Sequence, residues 1–423
     1  MTHPAFLMIL LIPLAIAGLA LINSGLGRSR NAAHVMMSSL CVTAVAAIAY
    51  LIFGFAWQGF AGGPARLMYI SGRPWSWAGA QPLFMAGLDW NASPGALVAW
   101  MQILCVALAA IIPIGAATER WRLGAMCASA ALLAAITYPL FGHAAWGGGW
   151  LAQLGANYGL GQGFVDSGGS GVIQAVGGLT ALSMAWILGP RRGKYTAEGM
   201  PMAIPGHNAV FVLLGCLLAW FGWLGLNSAG ALLFSNVAVG RLVLVSLNTT
   251  VAAGSAGLAT AIVTRVRFSR PDASLTANGW VAGLAASSAG CAFVPPAGAL
   301  LTGLVAGLLV PFAIETLELR LSIDDPGGAI SVHAIGGIWG LIAVGILGRF
   351  GPSDSWQWLA QFVGIATLLG FVLPLAYGLN WVLNRFLPQR ATPEAERQGL
   401  DLSELGAGAY PEFMTHTDEF LPR

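Results

Sequence analysis

The chain has 423 residues, of which 57% are hydrophobic and 9% are charged, and its formal net charge is +2. Soluble domains carry about 25% charged residues, so this composition excludes a soluble enzyme of this length. The near-neutral charge also excludes an extended basic surface, and we expect no nucleic-acid partner.

Long apolar runs recur along the chain between charged or Pro/Gly-rich breaks. A spanning helix needs about 20 apolar residues, because lipid offers no hydrogen bonds to the backbone. The runs predict spans 1 to 11 at residues 5–22, 33–57, 96–117, 123–146, 171–188, 209–226, 242–263, 277–294, 297–314, 327–347 and 359–383. The sequence therefore predicts an all-α integral membrane protein with eleven transmembrane helices, with a transmembrane domain at 1–384 and a polar tail at 385–423.

The basic residues indicate how these spans cross the bilayer. With the N-terminus outside, four arginines face outward, at positions 66, 73, 241 and 349. Fifteen basic residues then face the cytoplasm: Arg28, Arg30, Arg120, Arg122, Arg191, Arg192, Lys194, Arg265, Arg267, Arg270, Arg320, Arg385, Arg390, Arg397 and Arg423. This asymmetry follows the positive-inside rule and places the C-terminal tail in the cytoplasm. Because no Lys or Arg precedes span 1, we expect this span to be retained rather than cleaved as a signal peptide.

The cysteines give no sign of a metal or disulfide framework. All of them lie in apolar runs without a CxxC spacing: Cys41, Cys105, Cys127, Cys216 and Cys291. Buried cysteine commonly behaves as a small apolar residue. We therefore expect free thiols, no metal site and no cofactor.

Two segments of the chain repeat each other. Residues 166–182, which open span 5, align without a gap with residues 325–341, which open span 10. The motif Asn23-Ser24 at the end of span 1 likewise matches Asn227-Ser228 at the end of span 6. Both matches are five spans apart, and an odd offset inverts one half relative to the other. We therefore predict an inverted repeat of spans 1–5 and 6–10, with span 11 added.

Gln174 and His333 occupy equivalent positions in this repeat. In inverted-repeat transporters the site lies near the midplane between the halves, so we expect these side chains to face each other at a pore midpoint. An ionisable residue costs about 2.5–3.5 kcal/mol at the centre of a spanning helix, which favours a functional role for His333. A neutral imidazole and an amide each offer a donor and an acceptor, so they can pass a small hydrogen-bonding molecule while hydrated metal cations are excluded. The alternative is a histidine that only hydrogen-bonds a neighbouring helix.

A second polar pair is predicted near the outer ends of spans 4 and 5. Trp146 ends span 4 and Asp166 precedes span 5. An indole face near a carboxylate can hold a cation, which suggests an outer recruitment site. Asp166 also fits the N-cap of span 5, and Trp146 also fits an interfacial anchor.

These residues resemble the ammonium transporter family, which also includes the Rh proteins. The likeness covers nearly the whole chain and is carried by the segments at 25–31, 117–120, 143–149, 220–227, 324–333, 399–401 and 408–410. It implies transmembrane transport of ammonium or ammonia by an inner-membrane homotrimer with one pore in each subunit, without enzymatic activity. Trp146, Asp166 and His333 fall on the family's outer site and one of its paired pore histidines. The tail resembles the family's cytoplasmic regulatory terminus, which implies a PII-type signalling protein as a partner.

The chain departs from the family pattern at several of these positions. Gln174 replaces the first pore histidine, and Cys105 and Leu226 replace the two phenylalanines of the outer gate. Gly230 replaces a serine of the outer site, and residues 156–165 lengthen the loop before Asp166. Because an amide does not carry a proton, a relay through two imidazoles is interrupted at Gln174.

Three alternatives to transport of ammonium remain open at this point. Loss of one histidine and of the gate fits an ammonium sensor or gated binder with little net flux. A channel for another small neutral molecule fits the same two polar groups. A membrane serine hydrolase is suggested by the short GxSG pattern ending at Ser170-Gly171, although the repeat partner of Ser170 is Ala329.

Overall fold

The computed structural model describes residues 2–91, 93–351 and 355–413. Eleven long helices occupy the predicted spans within these residues, and ten of them are long and apolar enough to cross a membrane. They are α1 Thr2–Leu26, α2 Ser29–Gln58, α3 Pro94–Ala117, α4 Leu123–Trp146, α5 Ser170–Leu188, α6 Ala209–Leu233, α7 Val239–Phe268, α8 Ala273–Gly290, α9 Pro296–Leu321, α10 Ile330–Leu347 and α11 Gln357–Phe386. The exception is α8, an 18-residue helix that packs between α7, α9 and α10. The predicted fold class is confirmed.

Local sequence signals explain where several helices begin. The Ser93 side chain accepts a hydrogen bond from the Ala96 N–H, and a proline follows it at the first helical position of α3. Asn208 and Asp272 accept equivalent bonds at the starts of α6 and α8. A side-chain acceptor at this position satisfies a backbone N–H that has no partner inside the helix.

The two halves of the repeat meet where α5 crosses α10. A Cβ atom at Gly178 would lie 2.2 Å from the Ala334 nitrogen, and one at Gly337 would lie 2.4 Å from the Ser170 carbonyl oxygen. Only glycine permits such close approach of two helices. The paired glycines of the repeat therefore bring the residues that precede them, Gln174 and His333, to the same crossing.

Helices α1 and α6 are also equivalent in the repeat, and they pack along most of their length. Gly18 lies against the backbone of Gly215 and Ala219, and Gly222 lies against Ala15. Small residues on both helices allow this contact, as is usual in membrane bundles. Helix α1 is thus an integral part of the core.

A β-hairpin lies in the loop between α2 and α3 and was not predicted. Its strands are β1 Ala65–Ile70 and β2 Arg73–Gly79, paired antiparallel with an irregularity between Arg66 and Leu67. The Ser76 hydroxyl lies 2.8 Å from Nε2 of His143, and Nδ1 of His143 lies 2.7 Å from the Gln58 carbonyl oxygen. The first bond fixes the hairpin on the end of α4 that carries Trp146, hereafter the Trp146 end, and the second joins this end of α4 to the last residue of α2.

A buried ionic cluster closes the opposite end of the bundle. The Arg191 guanidinium donates two hydrogen bonds to the Asp324 carboxylate at 2.9 and 3.0 Å and a third to Glu119 at 2.8 Å. Arg28 also pairs with Glu119, and Arg120 donates to the Asp324 carbonyl oxygen. Burial alone would raise the pKa of Asp324, but Arg120 and Arg191 outweigh it and hold that pKa below its ordinary value.

The tail after α11 packs against this same end. Asp401 accepts hydrogen bonds from the backbone N–H groups of Ala33 and His34 at the start of α2. Glu404 accepts one from the Leu123 N–H at the start of α4 and lies 2.9 Å from Nε2 of His34. The tail therefore supplies acceptors to two helix N-termini. Residues 414–423, which belong to the predicted tail, lie outside the described residues.

Candidate functional site

Gln174 and His333 are in direct contact at the crossing of α5 and α10. Oε1 of Gln174 lies 2.7 Å from Nδ1 of His333. Gln174 is fully buried and His333 is 5% exposed. Both residues belong to π-helical turns, Ser170–Ala175 and Ile330–Ile335, which are equivalent in the repeat. Single π-helical turns inside α-helices are frequent at functional sites.

The contact determines which ring nitrogen of His333 carries a proton. An amide oxygen only accepts, so with Oε1 facing the ring, Nδ1 must donate and Nε2 of the neutral ring is an acceptor. The Gln174 Nε2 group is buried and has no protein partner among the described residues. The pair thus leaves the Gln174 Nε2 group as a donor and Nε2 of His333 as an acceptor for a small polar molecule.

Asp166 caps α5, and its counterpart Asp325 caps α10 in a different way. Oδ2 of Asp166 accepts from the N–H groups of Gly171 and Val172 at 2.9 and 2.8 Å. Asp325 instead uses one oxygen for Ala329 and the other for Ile330. Oδ1 of Asp166 is therefore left buried without a protein partner in the described part of the chain. Burial raises the pKa of Asp166 to about 7, although the backbone N–H donors oppose this rise.

Trp146 lies beside Asp166 and is covered by another aromatic ring. Its indole N–H donates to the Asp166 carbonyl oxygen at 2.6 Å. The Phe234 ring stacks on the indole with a centroid separation of 4.2 Å and an interplanar angle of 6°. A cavity of about 270 Å3 lies against both rings and is also lined by Phe60, Leu97 and Val98, among others.

The two gate positions from the family pattern lie away from this cavity. Cys105 and Leu226 are fully buried in the helical core, and the described residues that line the cavity include neither of them and none of 156–165. A Cβ atom at Gly230 would lie 2.1 Å from the Ser167 carbonyl oxygen. The loop at Ser167 therefore leaves no room for the serine that the family pattern has at Gly230.

The added loop instead attaches to α11. Gln357 accepts from the Gln162 N–H and donates to the Gly163 carbonyl oxygen. Gln361 likewise accepts from the Val165 N–H and donates to the Val165 carbonyl oxygen. Sequence reasoning missed both glutamines and also Phe234. Their only signal was that Gln361 is polar within the apolar span 11 and that Gln357 lies two residues before it. Phe234 gave no signal, because it lies eight residues beyond the predicted end of span 6 at residue 226.

Ser170 lies in a purely structural position. Its hydroxyl donates to the Ala285 carbonyl oxygen at 2.7 Å and accepts from the Ala289 N–H at 2.7 Å. Both bonds join α5 to α8. The hydroxyl is thus engaged by backbone groups, and the geometry gives no support to the serine hydrolase hypothesis.

Known proteins similar to this chain agree with its architecture. Residues 5–410 match the model of the Ammonium Transporter Family. The chain is 35% identical to ammonium transporter Amt2 of Archaeoglobus fulgidus, with 96% of this chain and 87% of that protein covered. It is 32% identical to an ammonium transporter of Bacillus subtilis, with 97% and 98% covered.

Solved structures show the same fold. A sensor Amt protein aligns with a TM-score of 0.85 at 30% identity, covering 95% of this chain and 97% of that one. Mep2 of Candida albicans aligns with a TM-score of 0.80 at 23% identity, covering 100% and 92%, and this likeness concerns the fold alone. With the family model matched over nearly its full length, the chain belongs to the ammonium transporter family.

Proposed function

We propose that this protein carries ammonium or ammonia across a membrane through a pore whose midpoint is formed by Gln174 and His333. The observation that carries the proposal is their hydrogen bond of 2.7 Å at the contact of the two repeat halves. The family match supports the substrate, and the free donor and acceptor of the pair support passage of a small hydrogen-bonding molecule.

The Trp146 end supplies the recruitment site in this proposal. Ammonium carries a charge and four N–H donors, so it can donate to the free Oδ1 of Asp166 and contact the indole of Trp146. A deprotonated Asp166 stabilises the cation there. Because a bare cation is costly deeper in the apolar bundle, ammonium gives its proton back to the external water at this end and continues as ammonia.

At the midpoint the molecule exchanges hydrogen bonds with neutral groups. The Gln174 amide N–H donates to the ammonia lone pair, and Nε2 of His333 accepts an ammonia N–H. Gln174 neither gains nor loses a proton in this exchange. The proton released at the Trp146 end therefore has no path through a second imidazole, and we propose that transport moves no net charge.

The setting of the protein follows from the family and the charge distribution. We place it in the cell inner membrane as a homotrimer, with the Trp146 end outside and the tail in the cytoplasm. Fifteen basic residues on the tail side against four on the other support that orientation. Its role is transport rather than catalysis, and it uses no cofactor.

The tail is the regulatory element in this proposal. Asp401 and Glu404 contact the starts of α2 and α4, so any movement of the tail acts directly on helices that build the bundle. A PII-type signalling protein at the cytoplasmic face is the partner that the family suggests. Binding of such a protein is expected to be lost when the tail is removed.

A sensor without net flux is the second candidate. It is favoured by the likeness to a sensor Amt protein and by the interrupted relay at Gln174. Uptake of labelled methylammonium by cells that lack their own transporters separates the two functions. Accumulation above the level of the His333→Ala variant supports transport. Binding to the purified protein without any accumulation would support a sensor and overturn the proposal.

A further inference from the structure

Phe234 covers the ring that the proposed function assigns to ammonium recruitment. Two nearly parallel rings with centroids 4.2 Å apart are in van der Waals contact, so no ion fits between them. Trp146 is only 7% exposed, so little of its remaining surface is open to solvent. A cation that contacts the covered indole face must first displace the Phe234 ring.

Short-range contacts hold Phe234 in place. It is the first residue after α6, and its N–H donates to the Gly230 carbonyl oxygen. The next residue, Ser235, shares a hydrogen bond of 2.8 Å with the Ser167 hydroxyl, next to Asp166. Asn236 then has a left-handed φ of 49°, which turns the chain away from the helix axis. The turn that carries Phe234 is thus linked to the loop that carries Asp166.

The absence of rings at Cys105 and Leu226 makes this cover significant. Cys105 carries a thiol and Leu226 an aliphatic side chain, and both are buried and do not line the cavity at Trp146. The aromatic surface that meets a cation at this cavity therefore comes from Trp146, Phe234 and Phe60. Of these rings, Phe234 is the one stacked on Trp146.

We propose that Phe234 is a specificity-determining residue that covers Trp146 and discriminates among amines by the size of opening that each requires. The inference rests on the proposed function, because it names a determinant of the same recruitment site. Ammonium needs a small displacement of the ring, and methylammonium needs a larger one. Each substrate binds in proportion to the fraction of protein whose ring is displaced far enough.

The test compares Phe234→Ala with wild type in purified, reconstituted full-length protein. Initial uptake of labelled methylammonium and of labelled ammonium is measured at low concentration for each. A stacked aromatic contact is worth a factor of about two to ten in an equilibrium, so we expect the ratio of methylammonium to ammonium uptake to rise by that factor. Phe234→Leu keeps apolar bulk without the ring and is expected to change the ratio in the same direction.

Phe221→Ala is the matched control, because Phe221 lies on α6, the helix that Phe234 follows, beside Trp220, and is 49% exposed. We expect it to leave the ratio unchanged. An unchanged ratio in a folded Phe234 variant, or a fall in uptake of both amines, would overturn the inference. If wild type transports neither amine, the proposed function itself fails, which is a separate outcome. Phe234→Leu decides the question if Phe234→Ala does not fold.

Discussion

Nδ1 of His333 donates a hydrogen bond of 2.7 Å to Oε1 of Gln174, and this bond joins the two halves of the inverted repeat. An amide has no accessible protonation equilibrium, so the pair provides hydrogen bonds without a site that relays a proton through both residues. In the proposed function, the same bond makes Nε2 of His333 the acceptor for a passing molecule.

Replacing His333 tests whether hydrogen bonding at the midpoint is sufficient. His333→Ala removes the acceptor and leaves Gln174 without its partner, and an unpaired buried polar group costs about 1–3 kcal/mol. We expect uptake to fall about tenfold to a hundredfold. His333→Gln preserves a donor and an acceptor, so its uptake is expected to stay within a few fold of wild type. Equal loss in both variants would show that the imidazole itself is required.

Asp166 and Asp325 offer a paired test of the recruitment site. Asp166→Asn keeps an acceptor for the cap of α5 but removes the charge beside the free Oδ1 position. We expect the apparent affinity for ammonium to weaken by about tenfold or more, since charge-assisted hydrogen bonds are roughly twice as strong as neutral ones. Asp325→Asn is expected to reduce thermal stability with a smaller effect on affinity. An equal loss of ammonium affinity in the two variants would contradict the assignment of Asp166 to the recruitment site.

The pH dependence of transport follows from the pKa of Asp166. Burial raises that pKa to about 7, so the carboxyl is neutral below this value and charged above it. In the proposed recruitment site it is the charged carboxylate that binds ammonium, so we expect the apparent affinity for ammonium to increase as the external pH rises from about 6 to 8. The apparent affinity of the Asp166→Asn variant should not change with pH over this range. A wild-type curve without change over this range would show that Asp166 does not titrate there.

Much of the fold could be predicted from sequence because lipid imposes strong constraints. Apolar run length located all eleven long helices, including α8, which is buried against other helices over most of its length from Ala277 to Gly290. The gapless match of 166–182 with 325–341 brought Gln174 and His333 together before any geometry was known. Their assignment as a pore midpoint is still a prediction that flux measurements must test.

Other features could not be predicted, because their cause lies in long-range contacts. Phe234 stacks on Trp146 although 88 positions separate them in the sequence (234 minus 146). The family pattern pointed instead to Cys105 and Leu226, which lie outside the cavity. The position of the hairpin against α4 likewise depends on long-range contacts, although the two-residue turn at Ser71-Gly72, with φ values of 53° and 75°, is a local signal for the hairpin itself. Such features require knowledge of which loops meet at the Trp146 end.

The buried ionic cluster predicts a large stability effect for Arg191→Met. Arg191 is 3% exposed at its side chain and holds both Asp324 and Glu119. Arg28 and Arg120 still balance the two carboxylates in the variant, but the buried oxygens lose the charge-assisted hydrogen bonds of Arg191, each worth about 1.5–3 kcal/mol. We expect a clear fall in the unfolding temperature of the detergent-purified protein. Arg267→Met breaks an exposed pair with Glu315 and is the control, with little expected change.

Tail docking is expected to weaken in acid. Burial alone would raise the pKa of Glu404, but hydrogen bonds from His34 and the Leu123 N–H, with Arg122 nearby, lower it below the ordinary value of 4.5. A carboxylate with a depressed pKa stabilises the docked tail above its ordinary pKa and loses this effect as pH falls through the lowered value. Proteolysis of the tail should therefore accelerate below about pH 4.5. In Glu404→Gln, protease should cleave the tail rapidly already at pH 7. If the tail of this variant resists cleavage as well as the wild-type tail does, Glu404 does not hold the tail in place.

The most direct test of the central claim measures flux and current together in vesicles that contain the purified protein. Wild type is predicted to take up labelled ammonium without an ammonium-dependent current, because Gln174 interrupts the relay. Gln174→His restores a second imidazole and is predicted to create such a current. A current in wild type that Gln174→His leaves unchanged would contradict the account.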